Sequence, residues 1–176
     1  MDEAHAYLAG AMRDGTFSKM HGTTRISQSY VEWLELLAVL LARLGRRSWI
    51  YRESPHRSVW TIETSLPFDA SPTLASRDAL RGFARGYFDA DGGVPRDPTA
   101  RFYIQVCQKD LGDLLRLRST LEGLGIVTGR VHNPSARIDP DYWRLYVAVG
   151  SHERFSKEVG SWHPVKRAVL RGRFGS

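Results

Sequence analysis

Hydrophobic positions along the chain follow two periods, and the order in which those periods alternate occurs twice. From Tyr30 to Leu44, Trp33, Leu36, Leu37, Leu40, Leu41 and Leu44 fall at helical spacing, which predicts an amphipathic helix stopped by Gly45. Leu111 to Leu124 predicts a second such helix, again stopped by a glycine, Gly125. Period-two stretches precede and follow each. Thr16 to Ser29 reads as two short strands around His21-Gly22, with Lys19, His21, Thr23, Arg25 and Ser27 on one face. Arg47–Glu53 and Ser58–Thr64 predict a hairpin around Ser54-Pro55-His56. Arg101 to Gln108 is a strand with Phe102, Ile104 and Val106 on one face and Arg101, Tyr103, Gln105 and Cys107 on the other. Val127–Asn133 and Tyr142–Gly150 predict another hairpin, with Trp143, Leu145, Val147 and Val149 toward a core and Tyr142, Arg144 and Tyr146 outward. Glu153 to Arg173 is mostly helical, broken near His163-Pro164.

Two further helices begin the two series. Ala4 to Met12 is small and apolar and ends at Arg13-Asp14-Gly15; Trp33 and Trp143 are expected in the core. The second helix runs from Ser76, an N-cap, and carries Gly82, Gly86 and Ala90 on one face. Each glycine inside a helix costs about 1 kcal/mol against alanine. A stripe of them predicts a face that admits another backbone closely. Asp89 and Asp91 stand at its C-terminal end, where the helix dipole disfavours anions, and Gly92-Gly93 is expected to turn the chain. Carboxylates in that position point to a site.

The two series form an internal repeat. Ile26-Ser27-Gln28 matches Val106-Cys107-Gln108, each Gln precedes its helix-stopping glycine by 17 residues, and Asp14-Gly15 matches Asp91-Gly92. The expected architecture is α+β: two pseudo-symmetric αββαββα half-domains with antiparallel sheets, residues 1–66 and 76–176, joined by a Pro-containing linker at 67–75. Packing the two small-residue helices together would set Ala9 opposite Gly86 and bring Asp14 and Asp91 to the base of the pair. Two such carboxylates repel, and an oxygen-bound divalent cation relieves that repulsion.

Composition narrows the function. The chain has 176 residues, 42% of them hydrophobic and 25% charged, an ordinary globular balance. One cysteine, Cys107, excludes an internal disulfide framework and a cysteine-based zinc site and fits a reducing compartment. The longest apolar run, within Leu34 to Leu41, is interrupted by Glu35 and too short for a membrane span, and no signal peptide is evident. Net charge is +6, and its distribution is uneven: nine Lys/Arg balance nine Asp/Glu up to Asp78, against sixteen and ten from Ala79 onward. A polyanionic partner is expected to meet the second half most strongly. None of the six histidines has paired metal spacing, and Asp89-Ala90-Asp91-Gly92 lacks the closing Glu of a calcium loop.

Ala84-Arg-Gly-Tyr-Phe-Asp-Ala-Asp-Gly92 resembles the LAGLIDADG motif, and Tyr7-Leu-Ala-Gly-Ala-Met-Arg-Asp-Gly15 resembles a degenerate first copy. The chain is thus similar to LAGLIDADG homing endonucleases of the single-chain, two-motif type, over nearly its whole length. The resemblance implies a monomer whose half-domains pack through paired motif helices, with the sheets forming a saddle on double-stranded DNA. It implies catalytic divalent metal, Mg²⁺ or Mn²⁺, held by Asp14 and Asp91. It places Gln28, Gln108 and Lys109 at strand ends near the attacking water and scissile phosphates, and Lys166, in His163-Pro-Val-Lys166, near the phosphates. Lys19, Arg25, Arg101, Tyr103, Gln105, Arg130, Arg144 and Tyr146 are candidate DNA contacts. The implied activity is hydrolysis of both strands at a long, pseudo-symmetric site inside a cell, in a prokaryotic cytoplasm or an organelle. In this alignment Met12 takes the place of Asp89, Ala9 that of the motif glycine, and Ser29 stands where some relatives carry Lys. Those departures motivate an alternative, a catalytically reduced relative that binds intron RNA or DNA.

Overall fold

The computed structural model describes residues 1–54, 56–65 and 72–175. The first series is α1 (Glu3–Ala11), a 3₁₀ turn (Met12–Asp14), β1 (Thr16–Ser18), β2 (Thr23–Gln28), α2 (Val31–Arg43), β3 (Ser48–Tyr51) and β4 (Trp60–Thr64). The second is α3 (Arg77–Asp91), β5 (Gly92–Gly93), β6 (Gln105–Gln108), α4 (Leu111–Gly123) and β7 (Trp143–Tyr146), followed by α5 (His152–Glu158) and α6 (Pro164–Phe174). Most of the expected linker, residues 67–71, lies outside the described residues, as does Pro55.

Local chemistry accounts for the helix ends. Asp2, Ser76 and Asp110 each accept a hydrogen bond from the backbone N–H three residues on, satisfying donors the helix leaves open. Gly45 and Gly125 adopt φ +67° and +73°, the left-handed conformation that closes a helix C-terminus. Pro164 opens α6, where a missing N–H costs nothing.

The strands form two antiparallel sheets, in the orders β1-β2-β4-β3 and β5-β6-β7. In the first, Ile26, Ile50 and Ile62 pair across the register and turn toward the helices, with Ile26 and Ile62 buried beside Trp33, Leu37 and Leu41. Burying each such side chain is worth roughly 1.5–3 kcal/mol. The second sheet turns Val106 and Leu145 onto Leu114, Leu117 and Leu121. Trp33 is fully buried, whereas Trp143 is half-buried against this second cluster.

Four expectations change. Gly92-Gly93 does not turn the chain but runs extended, its backbone paired with Val106 and Gln105 of β6, and the Phe88 ring fills the space a Gly92 side chain would take. The strand expected from Arg101 begins only at Gln105. Val149 is exposed, not core, since β7 ends at Tyr146 and residues 149–151 curl into a 3₁₀ turn. The strand expected at 127–133 is a broken edge. Thr128 bridges Val147 and His132 bridges Arg144, so four steps on one side face three on the other. That extra residue is a bulge, which interrupts the ladder.

The motif helices cross face to face. A Cβ on Gly86 would strike the Tyr7 carbonyl and sit 2.9 Å from Ala11 N, and one on Gly10 would strike the Phe83 carbonyl and sit 2.7 Å from Tyr87 N. Gly82 meets Glu3 and Ala6 in the same way. The glycine stripe read in the sequence is therefore a contact surface. Its partner glycine on α1 is Gly10, however, not Ala9 as the motif alignment suggests. Each helix also serves both cores: Ala6 and Ala9 pack into the second cluster, and Tyr7, Leu8, Ala11 and Met12 into the first.

Candidate active site and nucleic-acid interface

Asp14 closes the 3₁₀ turn after α1, and Asp91 is the last residue of α3. Each is held by the glutamine at the end of its own half's inner strand. Gln28 Nε2 donates to Asp14 Oδ2 at 3.3 Å, and Gln108 Nε2 donates to Asp91 Oδ2 at 3.0 Å. Gln108 Oε1 in turn accepts from the Lys109 backbone N–H at 2.7 Å, which fixes the direction of its amide. One carboxylate oxygen on each side is thus tethered by a neutral donor.

Electrostatics couples the two sides. Burial pushes Asp91 up to about 7, with the negative charge of Asp14 adding to the shift and Lys166 opposing it. Asp14, whose residue surface is exposed, is also raised by desolvation, against the Gln28 hydrogen bond and Lys166. Lys166 Nζ donates to the carbonyls of Phe88 (2.8 Å) and Asp89 (2.7 Å) in the last turn of α3, where a cation suits the helix dipole. Burial lowers Lys166 to about 8 while Asp89, Asp91 and Asp14 hold it up. One ammonium therefore interacts with three carboxylates.

Asp89 is an anchor. It is fully buried and accepts from Tyr7 OH (2.7 Å), Ser161 OH, Trp162 N (2.8 Å) and His163 N (3.2 Å). Trp33 Nε1 donates to the same Tyr7 oxygen at 2.7 Å, so the C-terminal segment, α1, α2 and α3 meet at one carboxylate. The sequence reading set Asp89 beside Asp91 as a carboxylate pointing to a site and did not foresee these long-range partners. Tyr7, a buried phenol on α1 among alanines and a glycine, is the hint it offered.

Among the described residues no three or more His, Cys, Asp or Glu side chains converge as a metal cage. Two carboxylates with oxygen donors only, mutually repelling and partly desolvated, are nonetheless a donor set that a hard divalent cation shared with a phosphate group can use.

The outward faces of the two sheets differ. On β7, Arg144 donates to Tyr146 OH (3.0 Å) and Tyr142 OH (3.3 Å), and Tyr142 OH donates to Cys107 Sγ (3.2 Å). Gln105 pairs with Tyr146 across the register, and Tyr103 meets the Tyr146 ring edge-on at 6.4 Å. Arg101 and Arg130 are exposed nearby in sequence, beside strand and bulge. On the first sheet, Arg25 is already neutralised: Glu63 receives it at 3.0 Å, along with the hydroxyls of Thr23 and Tyr51. The Thr23 hydrogen bond is the largest cause holding Glu63 below its usual range. Glu63 was missed from sequence because its pairing with Arg25 follows from the β2–β4 register. Lys19, in the β1–β2 turn, and Lys109 are exposed.

A family model for the LAGLIDADG-like domain matches residues 78–160. Solved structures extend the likeness to the first half. I-DmoI in complex with DNA and Mn shares 16% identity at a TM-score of 0.63, over 90% of this chain and 96% of that one. A LAGLIDADG-like domain is thus matched in the second half, and the whole chain shares the fold of these structures. The N-terminal LAGLIDADG domain of DUF199/WhiA gives 18% identity and a TM-score of 0.71, over 90% of this chain and 82% of that one. Full-length DUF199/WhiA from Thermatoga maritima gives 15% and 0.70, covering 97% of this chain and 60% of that one. At these identities the likeness is one of fold. No curated protein matches the chain in sequence. Both LAGLIDADG helices lie in one chain here, as the two-motif reading expects, and among the described residues no helix is long and apolar enough to cross a membrane.

Proposed function

We propose that this protein is a divalent-metal-dependent endonuclease of the LAGLIDADG family that hydrolyses both strands of duplex DNA as a monomer. The observation that carries it is the pair of matched units, Gln28–Asp14 and Gln108–Asp91, whose carboxylates interact electrostatically with each other and with Lys166. Asp14 and Asp91 would hold Mg²⁺ or Mn²⁺, which when bound supplies Lewis-acid activation of water and charge stabilisation at phosphorus. Gln28 and Gln108 keep each carboxylate in a single rotamer and leave its second oxygen open. Lys109, exposed at the end of β6, is in position to meet a phosphate. Lys166 spends two of its three N–H donors on the α3 carbonyls, steadying the helix end and offsetting acidic charge, and the third would be left for a phosphate. The half-domains divided at residues 67–75, and the saddle contacts of Arg101, Tyr103, Gln105, Arg130, Arg144 and Tyr146, belong to the same proposal. That I-DmoI has been seen with DNA and with Mn or Ca supports the choice of substrate and cofactor class.

A duplex library incubated with the protein and Mg²⁺ tests this. The expected result is double-strand cleavage at a small set of sites. Asp91→Asn should lower it at least about a hundredfold, since even residues that only support a metal ligand cost 10–100-fold. No cleavage by the unaltered chain, or normal cleavage by Asp91→Asn, overturns the proposal. The second reading is binding to DNA or intron RNA without cleavage. It is favoured by the first motif, one residue shorter than the second between its contact glycine and its aspartate, and its signature is tight binding with no cut strand.

A further inference from the structure

We propose that Arg13, tied to Asp113 across the molecule, is the positioning residue that lets the shortened first motif present Asp14; this rests on the nuclease reading of the site, and its test separates the two. The helix contact fixes the register. Gly10 lies against Phe83 and Tyr87, and Gly86 against Tyr7 and Ala11, so equivalent residues differ by 76. On that register Asp14 corresponds to Ala90, not to Asp91. The first motif is one residue short.

The structure makes up the missing length by changing helix type. α1 stops at Ala11, and Met12–Asp14 is 3₁₀. From Gly10 to Asp14, one α step and three 3₁₀ steps climb about 7.5 Å, the same as the five α steps from Gly86 to Asp91. The rotation differs by only about 40°, because a 3₁₀ residue turns further than an α residue. Both carboxylates therefore reach one level, and each finds its glutamine.

A 3₁₀ turn has poorer hydrogen-bond geometry than an α turn and needs outside support. Arg13, its central residue, supplies it. The Arg13 side chain is 1% exposed and donates to Asp113 Oδ1 at 2.9 Å, while its guanidinium lies 5.6 Å from the Phe83 ring centre. Asp113 is itself held, since its N–H donates to Asp110 Oδ1, the N-cap of α4. That cap follows Gln108 and Lys109 directly, so the turn bearing Asp14 is anchored to the strand end that orients Asp91. The second motif has no such device, and α3 remains helical through Asp91.

The amides after each aspartate report on the two motifs separately. Gly15 N donates to Met12 O at 2.9 Å within the 3₁₀ turn, and Gly92 N donates to Phe88 O at the end of α3. In the metal-free full chain, Arg13→Gln should speed hydrogen exchange at Gly15 at least tenfold while Gly92 stays within about twofold. Asp113→Asn should reproduce the pattern, and Arg13→Lys should restore most of the protection. With strand-labelled duplex and Mg²⁺, Arg13→Gln should slow cutting of one strand at least tenfold more than the other. Unchanged exchange at Gly15 overturns the inference. So does equal loosening at Gly15 and Gly92 or equal slowing of both strands, which would mark a merely structural ion pair. If exchange responds as expected but the unaltered chain cuts no duplex, only the nuclease reading falls.

Discussion

Asp91 is the residue whose protonation the fold disturbs most usefully, being pushed up to about 7 by burial with Asp14 adding to it. In the unfolded chain it ionises near the ordinary carboxylate value of about 3.9. Between those limits the folded, metal-free protein binds more protons than the unfolded one, so this residue's contribution to stability falls as pH rises from about 4 to about 7. Asp91→Asn removes the group. Its melting temperature relative to the parent should therefore climb across that window and level off above pH 7. A flat difference would show that Asp91 titrates normally. Cation binding, which needs the ionised form, should weaken below pH 7 and release protons as it occurs. At this scale the sequence was legible where chemistry repeats at equal spacing. The repeat singled out Asp14 with Gln28 and Asp91 with Gln108, and each pair is joined by a hydrogen bond. The contacts of Lys166 with the α3 carbonyls and the role of Glu63 were not foreseen, because the first depends on how α6 meets the end of α3 and the second on strand register.

The elements show which residues the helix pairing constrains. Gly86 and Gly10 sit where an added methyl meets the opposing backbone, which cannot yield as a flexible side chain can. Gly86→Ala and Gly10→Ala should each destabilise by about 1–3 kcal/mol, as overpacking does. Gly172 lies inside α6 with no atom near a built Cβ, so Gly172→Ala should stabilise by up to about 1 kcal/mol. Urea titration of the three variants checks both signs. If Gly86→Ala is as benign as Gly172→Ala, the close helix contact is wrong. Helices α2 and α4 were legible with their glycine stops because periodicity and capping agree there. The bulged edge at 128–132 was not, because alternation of side chains says nothing about whether the partner strand has one residue fewer. The register of the motif pair was hidden for a related reason. Counting back from each aspartate assumes one helix type, and the 3₁₀ turn breaks that assumption.

For the whole molecule, the uneven charge seen in the sequence acquires a spatial cause. The first sheet carries its arginine and its compensating carboxylate together, Arg25 with Glu63, whereas the second holds Arg144 between two neutral phenols. An arginine braced by hydroxyls keeps its full charge and its direction, which suits a phosphate or the edge of a guanine. Glu63, facing the same polyanion, would repel it. Duplex binding measured without divalent cations at several salt concentrations should therefore respond unequally. Arg144→Ala should weaken binding strongly and, if the guanidinium meets a phosphate, lower the slope of log Kd against log salt by about one. Arg25→Ala should have the smaller effect, since it removes a charge already compensated. Glu63→Gln frees that charge and should tighten binding and steepen the slope. Equal losses from Arg25→Ala and Arg144→Ala, with no gain from Glu63→Gln, would mean that the two sheets meet DNA alike and that the Arg25–Glu63 pair opens on contact.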